Sequence, residues 1–476
     1  MSWSVYIKSQ LTRPLANFAK WAKNILWLFL VFGIPLGGVS GPAQVAALVE
    51  NHNIDKPEKL SQQTFPAAKK ATLKNEDKLD SRKIKRSKSK KKRKKKRKKN
   101  RRAFDFGTPP KAKNKLTPTL SYGGRLGLEY QLEQNFDLIS SKADDLRITQ
   151  PSLSLAFSYV PFDILTFFAN IQSTGRIADD DRHRKEDQIQ LTFKQVFVSF
   201  DTFIEGLNIK VGRQRIKDDR QWVYDDELNA VRVNYEFSRY GLDVSISQPS
   251  RRDLLNNERV QDAVNFTAFG RAMWHRDHSI AIYTFVRENE PASKDDPIFF
   301  GLQMRGEPIK DTEYWVDFAN VRGRNGPLKI RGYGFDVGFT SVFDVSLKPS
   351  FTFGWAYGSG DNNLSDGNDL NFRQTGLQDN NAAFNGVTRI QYYGEVVDPE
   401  LSNLSILTGG IGIRPIKEAS FDIVYHYYHQ NKLSRKIRDF ETSEKPNGLS
   451  SRLGSEVDFI MGYRNRKSGL TSSLIV

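Results

Sequence analysis

Charged side chains that alternate with apolar ones are the residues of this sequence with the clearest chemical use. Successive side chains of an extended strand point to opposite faces, so parity separates charged positions from apolar ones. By this test the polar face receives two sets of charges. The cations are Arg125, Lys210, Arg232, Arg305, Lys348, Arg389 and Arg464, and the carboxylates are Glu129, Asp317, Asp336, Asp422, Glu456 and Asp458.

A row of guanidinium groups suits anions, because these groups stay charged and bind carboxylates bidentately. Arg389 is the best single candidate for a substrate contact, and Arg373 joins the set from a motif described below. Arg213 and Arg215 have the same parity as apolar neighbours, which would place them on the apolar face. A bulge at Gly212 would move them to the polar face. The alternative is that they form ion pairs with the acidic residues that follow in the sequence. Any one of these charges can instead pair across strands and only solvate the polar face.

Catalytic and metal-binding patterns are weak. Cysteine is absent, which excludes thiol catalysis, disulfides and thiolate metal sites. His426 and His429 are three residues apart on a predicted strand and therefore lie on opposite faces. The connection 360–385 offers weak calcium candidates in Asp361, Asp366 and Asp369. We predict no enzyme, no cofactor and no resident metal.

The charges lie on a series of strands separated by turns. After Tyr122 apolar and polar residues alternate with period 2, as in strands with two different faces. Eighteen candidate strands lie near 122–134, 146–160, 162–173, 187–201, 205–216, 227–238, 239–249, 262–274, 277–288, 297–306, 312–323, 328–341, 344–359, 386–396, 402–414, 418–431, 452–465 and 467–476.

The connections between these strands differ in length. Short turns alternate with longer charged connections such as 174–186, 250–261, 360–385 and 432–451, and 174–186 could fold inward as a gate. Short periplasmic turns and long extracellular loops are typical of outer-membrane barrels. The sequence predicts an all-β protein, a transmembrane antiparallel barrel of about eighteen strands. The last strand is short, which suggests a truncated fragment or missing final residues.

Composition agrees with a barrel and excludes a helical membrane protein. Mean hydropathy is −0.55 and hydrophobic residues make up 38%, whereas each helical span needs about 20 mostly apolar residues. Aromatic residues reach 12%, and barrels use aromatics as girdles at both membrane interfaces.

The part of the chain before the strands divides in two. Residues 1–47 resemble a secretory signal, with basic residues, an apolar run at 25–39 and small residues before Ala47. The sequence of residues 48–119 predicts a disordered periplasmic linker, because it shows no hydrophobic periodicity. The polybasic tract 82–102 within it has 21 residues, of which 17 are Lys or Arg, so the net charge of the remaining chain is 17 − 17 = 0. The barrel is assigned to 120–476.

Four segments resemble the alginate export family of outer-membrane proteins. They are Gly212-Arg213-Gln214-Arg215-Ile216-Lys217-Asp218-Asp219 closed by Gln221-Trp222, Phe372-Arg373-Gln374-Thr375-Gly376-Leu377-Gln378, Glu400-Leu401-Ser402-Asn403-Leu404 and Gly454-Ser455-Glu456-Val457-Asp458. The resemblance covers roughly 120–476 and implies an eighteen-stranded monomer with an Arg- and Lys-lined constriction that passes a polyuronate. The sequence departs from the family in the polybasic tract and in the turn 466–469, where the family exporter has a long plug.

The resulting prediction is a bacterial outer-membrane channel that exports an anionic polysaccharide, alginate or a related polyuronate. The alternative is a diffusion porin for small anionic sugars or oligouronates; an enzyme or adhesin on a barrel is a third. The predicted partners are the anionic polysaccharide, outer-membrane lipid and periplasmic export scaffold proteins, with no nucleic acid. The polybasic tract is expected to collect the polymer at the barrel entrance, or else to act as a spacer or tether.

Overall fold

A computed structural model describes residues 108–134, 145–180, 185–249, 263–275, 277–289, 295–438 and 445–476. The predicted signal segment and the polybasic tract lie outside the described residues. In the described part, no helix is long and apolar enough to cross a membrane.

Antiparallel strands make up almost all of the described chain. They are β1 (Asn114–Lys115), β2 (Leu120–Glu133), β3 (Leu146–Phe162), β4 (Leu165–Asp180), β5 (Lys185–Asp201), β6 (Leu207–Lys217), β7 (Asp225–Phe237), β8 (Tyr240–Gln248), β9 (Ala263–His275), β10 (His278–Asn289), β11 (Asp295–Ile309), β12 (Thr312–Asn325), β13 (Leu328–Val342), β14 (Ser350–Gly358), β15 (Asn368–Asp369), β16 (Asn381–Ala382), β17 (Ile390–Gln391), β18 (Leu404–Ile416), β19 (Ala419–Gln430), β20 (Arg452–Arg464) and β21 (Thr471–Ile475).

Nineteen of these strands form one sheet, and β16 and β17 form a separate pair. From β2 onward each long strand pairs with the next along the chain, and β14 pairs with β18. Among the described residues no pairing joins β21 to β2, so the described sheet is not closed. The prediction of an antiparallel all-β fold with about eighteen strands is confirmed.

The two faces of the sheet differ as the alternation predicted. On β2 and β3, Leu126, Leu128, Leu153 and Leu155 are exposed on one face, whereas Ser154 is buried on the other. Exposed apolar side chains on a regular strand face are unusual in a water-soluble protein and typical of a surface that contacts lipid. We refer to the opposite side as the polar face.

Exposed aromatic side chains cluster where strands meet at short turns. Phe162 and Phe203 flank or occupy the connections after β3 and β5, Tyr240 begins β8, and Phe343 follows β13. Trp274 is near the end of β9. All five side chains are more than half exposed. A row of aromatic rings at one edge of a sheet is expected at a membrane–water interface.

Three local predictions are wrong. Residues 386–396 do not form a strand of the large sheet but lie in the connection between β14 and β18. Lys348 is on an exposed turn with φ 42°, because β14 begins only at Ser350. Most of 174–186 belongs to β4 and β5, which pair as far as Asp179 and Lys185, so it is not a free gating loop.

Because residues 386–396 are not a strand of the large sheet, β14 and β18 are joined by the long connection 359–403. We call this connection the inner segment. It contains a 3-10 turn at Leu364–Asp366 and the short strands β15, β16 and β17. Short connections then continue to alternate with longer ones to the end of the chain: 417–418 is short, 431–451 is long and 465–470 is short.

Candidate functional site

The connection 218–224 between β6 and β7 is a tight turn built around Asp218. The Asp218 carboxylate accepts hydrogen bonds from the backbone N–H groups of Trp222 (3.3 Å), Val223 (3.0 Å) and Tyr224 (3.1 Å). Aspartate side chains commonly replace backbone partners in this way. The turn is therefore held rigidly and presents Arg220 and Trp222 to the polar face.

Arg220 is buried in a site of two carboxylates and two aromatic rings. Its Nη2 donates to Asp336 Oδ2 at 2.9 Å, and its Nε lies 3.6 Å from Asp317 Oδ2. The guanidinium carbon is 4.2 Å from the Trp315 ring centroid and 4.1 Å from that of Tyr392. Burial alone would lower the pKa of Arg220, but Asp336, Tyr392 and Asp317 raise it above its ordinary value, so the group remains a cation.

One of these carboxylates, Asp317, also binds a second arginine, Arg305. Asp317 and Asp336 are directly opposite each other on β12 and β13. Asp317 is fully buried and accepts from Arg305 Nη2 at 2.6 Å, while Asp336 also accepts from Trp315 Nε1 at 2.7 Å. Two carboxylates facing each other would repel, and the two guanidinium groups compensate them. Arg305, Asp317 and Asp336 are thus on the polar face, but Arg305 binds Asp317 and Asp336 binds Arg220.

Gln374 connects three of the sequence segments that carry the family resemblance. Its Nε2 donates to Trp222 O at 3.1 Å, and its backbone N donates to Glu400 Oε1 at 2.6 Å. Its Oε1 accepts from the backbone N of Leu401 at 3.1 Å and from Asn380 Nδ2 at 3.0 Å. Every polar group of this buried amide is used, which fixes the inner segment against the 218–224 turn.

A neighbouring contact fixes the inner segment to β11 and β13. Arg373 is buried, donates to Asp295 Oδ1 at 2.8 Å and pairs with Asp369. The Phe372 ring lies so close to Gly334 that a Cβ at this glycine would come within 2.6 Å of it. The glycine on β13 therefore makes room for the ring, and Arg373 holds the segment in place rather than facing an open path.

The fourth resemblance segment holds the other end of the inner segment. The Glu456 carboxylate on β20 accepts from the backbone N–H groups of Val396 (2.6 Å) and Val397 (3.2 Å). The Tyr428 hydroxyl lies 2.7 Å both from Glu456 Oε2 and from the carbonyl oxygen of Tyr393. All four segments thus meet at the inner segment. We call the inner segment, the 218–224 turn and the strand residues that they contact the packed region.

Glu395 is an acidic group of the inner segment in a setting that disfavours its charge. Burial raises its pKa from an ordinary value of 4.5 to about 8, and Asp458, Asp398 and Glu456 add to the shift. The backbone N–H of Gln391 donates to it at 2.9 Å and acts in the opposite direction. Glu395 is therefore mostly protonated at neutral pH.

The other predicted cations divide among several surroundings. Arg215 pairs with Asp225, and Arg232 donates through Nε to Asp243 at 2.8 Å. Lys210 lies over the Phe197 ring at 4.5 Å from its centroid. Arg213 is buried next to Gly212, whose φ is 120°, but β6 pairs with β5 and β7 without a register shift at Gly212, so the expected bulge is not seen. Local pairing, the alternative kept open for Arg215, is what the structure shows.

The remaining predicted residues are scattered. Arg389 lies in the inner segment, not on a barrel strand, and its Nε donates to Asn381 Oδ1 at 2.8 Å. Glu129 is exposed on β2, Asp422 is buried on β19, and Arg464 is half-buried at the end of β20. The prediction that Arg389 lies on a pore-lining strand is wrong, because the pattern around Ile390 belongs to a short strand within the inner segment.

A cavity remains on the polar face of β2 to β5, away from the packed region. Its volume is about 220 Å³. Its lining contains two cations and otherwise neutral groups: Thr108, Pro109, Arg125, Ser154, Asn170, Gln172 and Lys194. We call it the cationic cavity. Arg125 Nη2 donates to Thr108 O at 2.7 Å, and Lys194 Nζ lies 3.7 Å from Glu227. Neutral hydrogen-bonding groups with two cations suit a carboxylated, hydroxyl-rich ligand.

Sequence reasoning missed Lys194, Arg220 and Trp222. Lys194 was not selected because the pairing of β4 with β5 shifts register between Asn170 and Ile171, which changes its face. Arg220 lies in a turn, where alternation along the sequence does not indicate which face a side chain occupies. A signal for Trp222 existed, because the resemblance includes it, whereas Arg220 lies between the residues that the resemblance names.

The calcium candidates have other partners. Asp361 accepts from the backbone N of Asn363 at 2.7 Å and from that of Leu370 at 2.8 Å. Asp369 pairs with Arg373. Within the described residues, no three acidic or histidine side chains are grouped as a metal site.

An antiparallel sheet with an exposed apolar face, a charged opposite face and an aromatic edge defines the class of outer-membrane β-barrel proteins. The model of the Alginate export family matches residues 119–472, and the chain belongs to this family. The resemblance found in the sequence is thereby confirmed, and the family is one of export proteins rather than enzymes.

Curated relatives agree with this family. The chain is 23% identical over 290 residues to the alginate production protein AlgE of Pseudomonas aeruginosa, covering 52% of this chain and 58% of that protein. It is 30% identical over 126 residues to AlgE of Azotobacter vinelandii, covering 24% and 26%. The match thus spans little more than half the length of the first relative. Among solved structures, P. aeruginosa OccD3 (OpdP) aligns with a TM-score of 0.47 and 10% identity over 77% of this chain and 88% of that one.

Proposed function

We propose that this protein exports an anionic polysaccharide across the outer membrane, a polyuronate of the alginate type, along the polar face beside β2 to β5. The observation that carries the proposal is the cationic cavity. It is lined by Arg125 and Lys194 together with neutral hydrogen-bonding side chains. The packed region, by contrast, encloses its charges among ion pairs and aromatic rings, as Arg220 illustrates with Asp336 and Trp315.

The chemistry of the cavity fits a polymer that must keep moving. Ser154, Asn170 and Gln172 can exchange hydrogen bonds with sugar hydroxyls, while Arg125 and Lys194 attract carboxylates. Conduction requires sites that attract the ligand but release it readily. Both cations already have protein partners, Thr108 and Glu227, so each would exchange one partner for another.

The test is block of single-channel current by an oligomannuronate of defined length in a planar bilayer. Arg125→Gln and Lys194→Gln should each weaken the block and lower anion selectivity, and Ser154→Glu should do both more strongly, because it places a carboxylate in the cavity. Losing one charge contact is expected to weaken block roughly tenfold. Ser468→Glu, on the exposed turn before β21, is the matched control and should change neither property.

A diffusion porin for small anionic sugars is the second candidate, because the cavity would also accept them. The two candidates differ in the dependence of block on ligand length. An exporter should show longer block events as the oligomer lengthens, since successive uronates engage the same path. Equal block by a monouronate and by a long oligomer would favour the porin, and wild-type current indifferent to both would refute an anionic-sugar path. Periplasmic scaffold partners and a monomeric state remain part of the proposal.

A further inference from the structure

A line of polar side chains on β4 begins in the cationic cavity and continues past it. Gln172 lines the cavity, and Thr174 and Arg176 follow it at alternate positions of the strand, which places all three on the polar face. Ile177 on β4 and Ile189 on β5 are more than half exposed on the opposite, apolar face. The polar surface that starts at the cavity is therefore longer than the cavity itself.

Neutral groups occupy the interval between the cavity and Arg176. Thr174 is directly opposite Ser152 on β3 and Gln190 on β5, and directly opposite residues of an antiparallel pair have Cβ atoms about 5 Å apart. We call Ser152, Thr174 and Gln190 the neutral row. Arg176 is four residues beyond Gln172 (176 − 172 = 4), or about 13 Å along the strand. The neutral row thus separates the cations of the cavity from the next cation on β4.

The neutral row presents hydrogen-bonding groups in fixed positions. Gln172 Nε2 donates to Thr174 Oγ1 at 3.1 Å, which leaves the Thr174 hydroxyl hydrogen for another acceptor. Ser152 is opposite Gly127 on β2, where a Cβ would lie 2.6 Å from Ser152 Oγ, so the glycine leaves the serine hydroxyl uncovered. Ser152 and Thr174 are half-buried and Gln190 is exposed. A ligand on the polar face can therefore reach all three side chains.

From this arrangement we propose that the neutral row is a carbohydrate-binding subsite beyond the cavity, which makes the path select hydroxylated polyanions over other polyanions. The proposal rests on the proposed export function and deepens it by naming what the path recognises besides charge. A polyuronate carries hydroxyl groups between its carboxylates, and these can exchange hydrogen bonds with the amide and hydroxyl groups of the row. A polyanion without hydroxyl groups, such as a polyacrylate, would be held by the cations alone.

The spacing of charged and neutral groups also suits a polymer that moves. Each hydrogen bond between neutral groups contributes little net free energy, because both partners also bind water. A sugar on the neutral row is therefore held weakly enough to leave for the next position, as conduction requires. A continuous line of cations at the same positions would bind a polyuronate more tightly and release it more slowly.

The experiment measures block of single-channel current by two probes, an oligomannuronate and an oligoacrylate with the same number of carboxylates. Thr174→Val combined with Gln190→Met removes a hydroxyl and an amide at nearly constant shape. The double variant should weaken oligomannuronate block about tenfold and change oligoacrylate block by less than about twofold. Thr174→Ser keeps the hydroxyl and should retain wild-type block by both probes.

Ser173→Ala is the matched control on the same strand. Ser173 is directly opposite Leu153 on the apolar face, so block by both probes should stay at the wild-type level. An open-channel conductance close to that of the wild type shows that the double variant has folded. If the double variant does not insert, Thr174→Val alone decides, with an expected loss of oligomannuronate block of about threefold.

The outcomes separate this proposal from the export function. Equal weakening for both probes in the double variant would show a general effect on the pore and overturn the subsite. No change for either probe would also overturn it, while export stands if Arg125→Gln still weakens block. If neither probe blocks the wild type, binding of fluorescent oligomannuronate to the detergent-solubilised protein decides. Binding that the double variant weakens would support the subsite although export fails, and binding that is unchanged or absent would overturn the subsite.

Discussion

The packed region and the cationic cavity occupy the same polar face but differ in what surrounds their charged side chains. In the packed region Arg220 and Arg305 are matched by Asp317 and Asp336, and the aromatic rings exclude water. In the cavity Arg125 and Lys194 are set among neutral amides and hydroxyls, and their partners are Thr108 O and Glu227. Inward-facing charge is therefore not by itself a sign of a transport path; what matters is whether the cation lines a cavity with hydrogen-bonding groups or is enclosed by ion pairs and aromatic rings.

The difference also explains the positions of the four resemblance segments. They contact the inner segment through Gln374, Glu400 and Glu456, all within the packed region. Their hydrogen bonds hold a long connection on the polar face and so narrow the remaining space. In the proposed function the motifs form a wall of the path, and the residues proposed to contact substrate are outside the motifs.

The largest expected effect follows from removing the cation at the centre of the packed region. Arg220→Leu leaves Asp317 and Asp336 opposite each other with one guanidinium fewer. Breaking a buried ion pair from one side costs about 3–5 kcal/mol. We expect a lower unfolding temperature in detergent and a larger, noisier single-channel conductance as the inner segment loosens.

Arg271→Leu is the matched control for this substitution. Arg271 pairs with Glu236 at 2.5 Å, but the two side chains are 50% and 54% exposed. Exposed pairs contribute about 0–1 kcal/mol, so stability and conductance should hardly change. Equal effects of the two leucine substitutions would show that the packed region is not held by Arg220.

An intermediate effect is expected from pH at Glu395. Its pKa of about 8 lies above the ordinary 4.5, so the folded protein retains a proton that an exposed carboxyl would release. The stabilising contribution is complete below about pH 4.5, is lost as pH rises toward about 8, and changes little above that. Hydrogen exchange of amides 394–398, corrected for intrinsic rates, should therefore be several-fold faster at alkaline pH than at acidic pH.

Glu395→Gln should make this exchange insensitive to pH, because the amide cannot ionise. Glu205→Gln, in the exposed turn after β5, is the control and should leave the wild-type dependence intact. A pH dependence that persists in Glu395→Gln would assign it to another acidic group near β20.

The smallest effect is expected from Arg389→Ala. Arg389 hydrogen-bonds Asn381 within the inner segment, and losing such a bond costs about 1 kcal/mol. Oligomannuronate block should change by less than about twofold, in contrast to Arg125→Gln. Strong loss of block in Arg389→Ala would show that the path passes through the packed region, and the distinction between the two regions would fail.

The sequence predicted the strands and their faces well, because alternation follows directly from strand geometry. It placed Arg125, Asp317 and Asp336 on the polar face correctly. The prediction failed at residues 386–396. Their alternating pattern resembles that of a barrel strand, but they lie in a connection that contacts residues distant in sequence. The partner of Arg220 could not be predicted, since Asp336 is 116 residues away and parity says nothing about which charges of one face will meet.

The hydrogen bond between Trp222 and Tyr393 joins residues separated by 171 positions, and this has a consequence for biogenesis. Contacts so distant in sequence form slowly, because the intervening chain must be ordered first. The strand hairpins have far shorter loops to close. During assembly the sheet should therefore pass through a stage in which most strands are paired but the inner segment has not yet docked. A nascent molecule at that stage would be a wider and leakier pore than the mature one. Late docking of the inner segment would therefore increase leakage across the membrane.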